Sequence, residues 1–198
     1  TTFLYAAAQA ISTGSYFMNE LTSKRGKVLV IQADESETNC SDKLDQMGIN
    51  PAFDISFDPA LWNLEQLTRI QKEKNYDAIL ADSLTTLLSG QGSRFNDAEF
   101  GLPCYGYNHW ASEHNVWLGV ASHLRKQFNG AGSPTVNDIY GAGTQTWAAS
   151  DVWTLHKPER QAHDDHVVLH CVKARFCEQE TIWNLQGSKE DFIYIIMS

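Results

Sequence analysis

One stretch, Tyr76-Asp77-Ala78-Ile79-Leu80-Ala81-Asp82-Ser83, constrains the fold of this chain more than any other. Its run of Ala, Ile and Leu is short, does not alternate with polar residues, and is bounded by polar residues on both sides. That pattern suits a strand buried on both faces, as in a parallel sheet covered by helices. Ligands of open α/β sheets bind beyond the carboxyl ends of the strands, so the carboxylate of Asp82 is placed where a ligand would sit. The same residue type also caps helices, which gives Asp82 a purely structural alternative.

Two further runs share this character. Lys27 to Ala33 is rich in β-branched residues and ends in Asp34-Glu35-Ser36-Glu37, and Val116 to Ala121 ends in Ser122-His123. Helical patterns alternate with them. Thr1 to Thr13 is Ala-rich and stops at Gly14, and Tyr16 to Thr22 is read as a further turn or two of helix. Asn39 to Met47 closes at Gly48, and Leu61 to Lys74 carries an apolar stripe at Leu61, Leu64, Leu67 and Ile70. Phe53 to Phe57 reads as a short strand, Leu88 to Asn96 as a loop, and Asp97 to His114 as a helix whose first half is weakened by Gly101, Pro103 and Gly106. A long Gly- and Asn-rich loop from Lys126 to Gly143 leads to a short helix, Thr144 to Ser150. The tail turns to strands at Val152 to His156, Val167 to Lys173, Thr181 to Leu185 and Phe192 to Ile196. Alternating strands and helices followed by a β-rich tail predict an α/β, mostly parallel twisted sheet flanked by helices, with a C-terminal antiparallel β extension.

Composition narrows the function. A chain of 198 residues, 42% hydrophobic and 20% charged, suffices for one domain, residues 1–198, with a core that needs no crosslinks. With a net charge of −9 there is no overall basic surface to suggest nucleic-acid binding by bulk electrostatics, and local basic loops, particularly from several subunits around a strand, are left to provide it. Cys40, Cys104, Cys171 and Cys177 are too scattered for a zinc or disulfide framework. The absence of a membrane-length apolar run or a signal-peptide pattern predicts a cytoplasmic setting with no membrane partner.

The acidic end at Asp34-Glu35, the Asp82-Ser83 end, the Ser122-His123 end and the opening Thr-Thr helix occur in a fixed order. Together they resemble the RecA-type P-loop ATPases, in particular the group containing hexameric replicative helicases, the plasmid helicase RepA, RadA and KaiC. In that family a Gly-rich loop ending in Lys-Thr-Thr precedes an Ala-rich helix that closes in Gly. Thr1-Thr2-Phe3-Leu4-Tyr5-Ala6-Ala7-Ala8-Gln9-Ala10-Ile11-Ser12-Thr13-Gly14 is similar to everything after the lysine. The Gly-rich loop and its lysine are not among the 198 residues. The resemblance covers nearly the whole sequence, because Tyr140 to Asp151 and Val172-Lys173-Ala174-Arg175-Phe176 also match the family's later landmarks.

What the resemblance implies is an ATP- and Mg²⁺-dependent hydrolase. Thr1 would be the magnesium hydroxyl, Thr2 its neighbour near the phosphates, and Asp82 a magnesium carboxylate supported by Ser83. Either Asp34 or Glu35 would be the general base that aligns the attacking water. Ser122 and His123 would sense the terminal phosphate. Lys173 and Arg175 would reach into the ATP site of the next subunit of a ring, expected to be a homohexamer. Arg125 and Lys126, with Phe128 or Tyr140 as stacking partners, would contact single-stranded DNA from the long loop. The expected activity is that of a helicase-like motor. The alternatives are a KaiC- or RadA-like regulatory or recombination ATPase, and a non-catalytic RecA-fold fragment.

Overall fold

The computed structural model describes residues 1–89, 97–124, 133–139, 143–157, 166–175, 181–187 and 194–196. In chain order the elements are α1 (Thr2–Thr13), β1 (Tyr16–Phe17), β2 (Leu21–Thr22), β3 (Val28–Gln32), α2 (Glu37–Gln46), β4 (Asp54–Ser56), α3 (Leu64–Lys74), β5 (Ala78–Asp82), α4 (Leu84–Ser89), α5 (Asp97–Glu113) and β6 (Trp117–Val120). They are followed by α6 (Gly143–Ala148), β7 (Val152–His156), β8 (His166–Lys173), β9 (Ile182–Gly187) and β10 (Tyr194–Ile196).

Strands β4-β3-β5-β6 form a parallel sheet in that order. Every residue of β3 and β5 is buried, which is why neither run alternates in sequence. The pleat still sorts their side chains. Leu29, Ile31, Ile79 and Ala81 enter one core with Leu67 of α3, Leu87 of α4, and Tyr107 and Trp110 of α5. Val28, Val30, Ala78 and Leu80 enter the opposite core with Tyr5 and Ala8 of α1 and Cys40 and Leu44 of α2. Helices therefore cover both faces. The second sheet is antiparallel, ordered β10-β9-β8-β7, and packs Val167, Leu169 and Leu185 against Met18 and Phe17 of the β1–β2 hairpin. This is the α/β arrangement with an antiparallel extension that the sequence predicts.

Local chemistry explains the boundaries and two corrections. Gly14 ends α1 in the left-handed conformation at φ 71°, a C-cap that suits glycine. Tyr16 to Thr22 is not helical: Met18 and Asn19 both adopt positive φ, at 52° and 65°, and turn the chain into the β1–β2 hairpin. The stripe from Leu61 is also split. Asp58 caps a 3-10 turn at Pro59–Leu61, and Asn63 restarts the chain as the N-cap of α3 by accepting from Glu65 N–H at 2.9 Å. The segment read as a loop from Leu88 begins inside α4. Despite Pro103, α5 is continuous, anchored by the buried rings of Tyr107 and Trp110. Within the long loop, Val136–Asp138 forms a 3-10 turn, and Leu124 bridges to Ile139. No helix among the described residues is long and apolar enough to cross a membrane.

Candidate functional site

Register brings three polar strand ends to one edge of the parallel sheet. Gln32 pairs with Asp82 and Ala81 pairs with Val120, so the segments after β3, β5 and β6 leave the sheet side by side. The N-terminus of α1 arrives at the same edge. There the hydroxyl of Thr1 donates to Asp82 Oδ2 at 2.5 Å. Asp82 is 4% exposed, and its peptide bond to the fully buried Ser83 is cis. Thr2 follows as the first residue of α1.

Asp34 and Glu35 are separated by their partners. The side chain of Asp34 is 21% exposed and receives a hydrogen bond from Thr86 on Oδ1 and from His123 Nε2 on Oδ2, the latter at 3.2 Å. Burial pushes this carboxyl up, but hydrogen bonds from Thr86, Ser83 and His123, with the imidazole's charge, outweigh it and hold the group below the usual carboxylate range. Glu35 turns to α2, where its Oε1 pairs with the Lys43 ammonium. Its Oε2 is buried and has no hydrogen-bond partner among the described residues. One carboxylate is thus saturated by donors, and the other keeps an open oxygen.

Ser83, His123 and Asp34 meet, yet they do not form a nucleophilic triad. The same imidazole nitrogen, Nε2, lies 3.3 Å from Ser83 Oγ and 3.2 Å from Asp34 Oδ2. A carboxylate can only accept, so Nε2 carries the proton and cannot act as a base toward the serine. Ser122 is exposed and adds no hydrogen bond to this network among the described residues.

Two contributors escaped the sequence analysis. Gln32, 1% exposed, occupies the last position of β3, and Thr86 lies one turn into the segment after Asp82. The only sequence signal for Gln32 is a polar residue closing an apolar run.

Lys173 and Arg175 lie in a separate cluster at the end of β8. Lys173 Nζ donates to the carbonyls of Thr146 at 2.6 Å, Trp147 at 3.1 Å and Ala149 at 2.7 Å, closing the C-terminus of α6 within its own subunit. Burial, and then the neighbouring Arg175, hold its ammonium pKa below the ordinary lysine value, against the opposing pull of Asp151. Arg175 is exposed; its Nη2 donates to Trp147 O at 3.2 Å, and its backbone N–H donates to Asp151. Arg125, Lys126, Phe128 and Tyr140 lie outside the described residues.

The donor set tests whether Mg²⁺ and ATP belong here. Thr1 and Asp82 offer hard oxygen donors beside a helix N-terminus, and Glu35 Oε2 is an orphaned buried acceptor. Among the described residues there is no cluster of three or more His, Cys, Asp or Glu able to hold a metal unaided. Magnesium fits such a site, because it keeps waters and takes its remaining ligands from substrate phosphates.

No protein-family model matches the sequence, and no curated protein matches it. Among solved structures, the chain is similar to the crystal structure of a KaiC-like protein from the hyperthermophilic archaeon Pyrococcus horikoshii OT3. The TM-score is 0.69 at 10% sequence identity, over 100% of this chain and 85% of the other. The strand order, the two helical layers and this likeness make the fold RecA-type.

Proposed function

We propose that this chain is the core of a RecA-type ATPase that works in a homo-oligomeric ring, most simply a hexamer, on single-stranded nucleic acid. The observation that carries the proposal is the convergence of the Thr1 hydroxyl on the Asp82 carboxylate at the start of α1, on the binding edge of a parallel sheet. Thr1 and Asp82 would hold Mg²⁺, which when bound neutralises charge on the phosphates of ATP. Backbone N–H groups at the start of α1, with Thr2, bind phosphate oxygens.

Of the two acidic candidates, Glu35 is assigned as the general base. Its Oε2 is open and buried, whereas both oxygens of Asp34 already accept hydrogen bonds and its carboxyl has lost basicity. Asp34 instead fixes His123 and, through it, the segment that leads to the long loop. Arg175, exposed on its own subunit, is assigned to the next subunit's site, with Lys173 holding α6 beside it. Arg125 and Lys126 contact phosphates of the strand.

The net charge of −9 favours a second reading, a KaiC-like regulatory ATPase whose output is a protein contact. The deciding experiment is Mg²⁺-dependent phosphate release by the full-length protein, with Asp82→Asn as the matched variant. Turnover should be lost in Asp82→Asn while the fold persists; no turnover in the wild type, or an active Asp82→Asn, would sink the ATPase reading. Salt-sensitive binding of a single-stranded oligonucleotide by the assembled ring supports the motor, and its absence supports the regulatory reading.

A further inference from the structure

We infer that Gln32 is a positioning residue, a buried clamp that ties the segment bearing the general base to the Asp82 strand end and to α1. This inference rests on the ATPase reading above for its catalytic consequence, though not for its geometry. The Gln32 carboxamide is 1% exposed and uses both of its ends. Its Oε1 accepts from the backbone N–H of Asp34 at 2.8 Å and of Glu35 at 3.2 Å. Its Nε2 donates to the Tyr5 hydroxyl oxygen at 2.8 Å and lies 3.5 Å from Asp82 Oδ2.

The partners dictate this orientation. Two backbone N–H groups can only face an acceptor and a carboxylate can only face a donor, so the flipped amide would set donors against donors and oxygen against oxygen. A side chain with an acceptor at one end and a donor at the other is therefore required, and Gln has the length to span from the end of β3 to both. Tyr5 completes the arrangement from α1. It is fully buried, hydrogen-bonded to Cys40 of α2 as well as to Gln32, and its phenol is driven far above the usual range, first by that burial, so it stays a neutral hydroxyl.

The consequence is specific. The backbone that follows β3 passes from Ala33, whose N–H donates to Asp82 O at 2.6 Å, to Asp34 and Glu35, whose N–H groups both donate to Gln32 Oε1. Glu35 can keep a fixed distance from Thr1 and Asp82 because one side chain touches the backbone of the first and the carboxylate of the last. Loss of that tie misplaces the base without removing any group that binds nucleotide, so the chemical step should suffer and binding should not.

The test uses two variants of the full-length protein. Gln32→Met keeps the volume and removes both polar ends; Gln32→Glu keeps the acceptor for Asp34 and Glu35 and removes the donor facing Asp82. Amide hydrogen exchange at Asp34 and Glu35 should accelerate about tenfold or more in Gln32→Met and remain slow in Gln32→Glu, with Val30 and Leu80 as unmoved controls. ATP kcat should fall about 10- to 100-fold in both; KM for ATP should change less than about threefold in Gln32→Met and should rise in Gln32→Glu, whose added carboxylate faces Asp82. Unchanged exchange at Asp34 and Glu35 in Gln32→Met, or wild-type kcat in a folded Gln32→Glu, would overturn the inference. If Gln32→Met does not fold, the kcat of Gln32→Glu decides. A wild type without ATP turnover counts against the ATPase reading alone, and the exchange rates then decide the clamp by themselves.

Discussion

Lys173 offers the sharpest separation between a role inside the subunit and a role across an interface. Its ammonium sits on three carbonyls at the end of α6, two of them in part-buried contacts and one exposed. Lys173→Met keeps the aliphatic stem and removes the donors. Hydrogen bonds to charged groups are worth about 1.5–3 kcal/mol when shielded, and less where water can replace the lost donor. Crediting each part-buried carbonyl with about 1–1.5 kcal/mol, the exposed one with nothing, and the favourable cation at a helix C-terminus with about 0.3–1 kcal/mol gives about 2–4 kcal/mol. For a domain of this size each kcal/mol shifts Tm by about 2–4 °C, so the variant should melt on the order of 10 °C lower. Arg175→Ala loses one exposed contact at 3.2 Å and should fall within about 0.5 kcal/mol of the wild type. Thermal unfolding of the nucleotide-free protein, followed by circular dichroism, reads both. A Lys173→Met protein melting within about 2 °C of the wild type would refute the capping argument, and so would an equal loss in Arg175→Ala.

Two further outcomes follow from the same structure. Asp34 has a folded pKa below its ordinary value of about 4, so its contribution to stability is present above that value and is lost as pH falls through the lower folded one. Thr86→Ala removes one of its donors, should move the Asp34 titration upward in carboxyl ¹³C NMR, and should cost about 1 kcal/mol at neutral pH; an unmoved titration would show that the Thr86 contact does not hold the carboxyl down. Gly14→Ala should destabilise by about 1–2 kcal/mol, because Gly14 sits at φ 71° and an added Cβ would lie 3.0 Å from Arg25 Cβ; an unchanged Tm would contradict the left-handed cap.

The parts of the site that were legible in the sequence lie next to apolar runs. Asp34, Asp82 and Ser83 each fall within two residues of the end of a buried strand, Ser122 and His123 follow β6, which the sequence predicts to be buried but which is partly exposed, and Thr1 opens an Ala-rich helix. The unread parts depend on what stands opposite. Gln32 looks like the last residue of a run until the register places Asp82 beside it. Thr86 gains its meaning only when α4 brings it to Asp34, and the contacts of Lys173 with the end of α6, beyond the role the resemblance implies for it, appear only in the folded chain. The hairpin at Tyr16 to Thr22 was hidden because Met18, a residue with no preference for positive φ, adopts it. Asn63 is a local signal that a helical stripe can mask, since Leu61 keeps the periodicity even though the helix restarts after Asn63.

The acidic segment after β3 gathers two opposite kinds of carboxylate within two residues, and the difference decides what chemistry this edge can support. Asp34 is surrounded by donors, so it is a poor proton acceptor but a firm anchor for His123, and a histidine whose Nε2 proton faces a carboxylate cannot activate Ser83. Serine-based acyl transfer is thereby excluded where Ser83, His123 and Asp34 meet. Glu35 gives one oxygen to Lys43 and keeps the other open beneath the surface, the condition for orienting a water rather than for holding a side chain. On the proposed ATPase reading, a water aligned by Glu35 and the oxygen donors of Thr1 and Asp82 would carry the chemistry at this edge, and its accuracy would depend on what fixes the backbone of Glu35 relative to them. Gln32 contacts that backbone on one side and lies 3.5 Å from Asp82 Oδ2 on the other, so on the proposed reading a residue with no reactive group of its own would set the geometry of the groups that react.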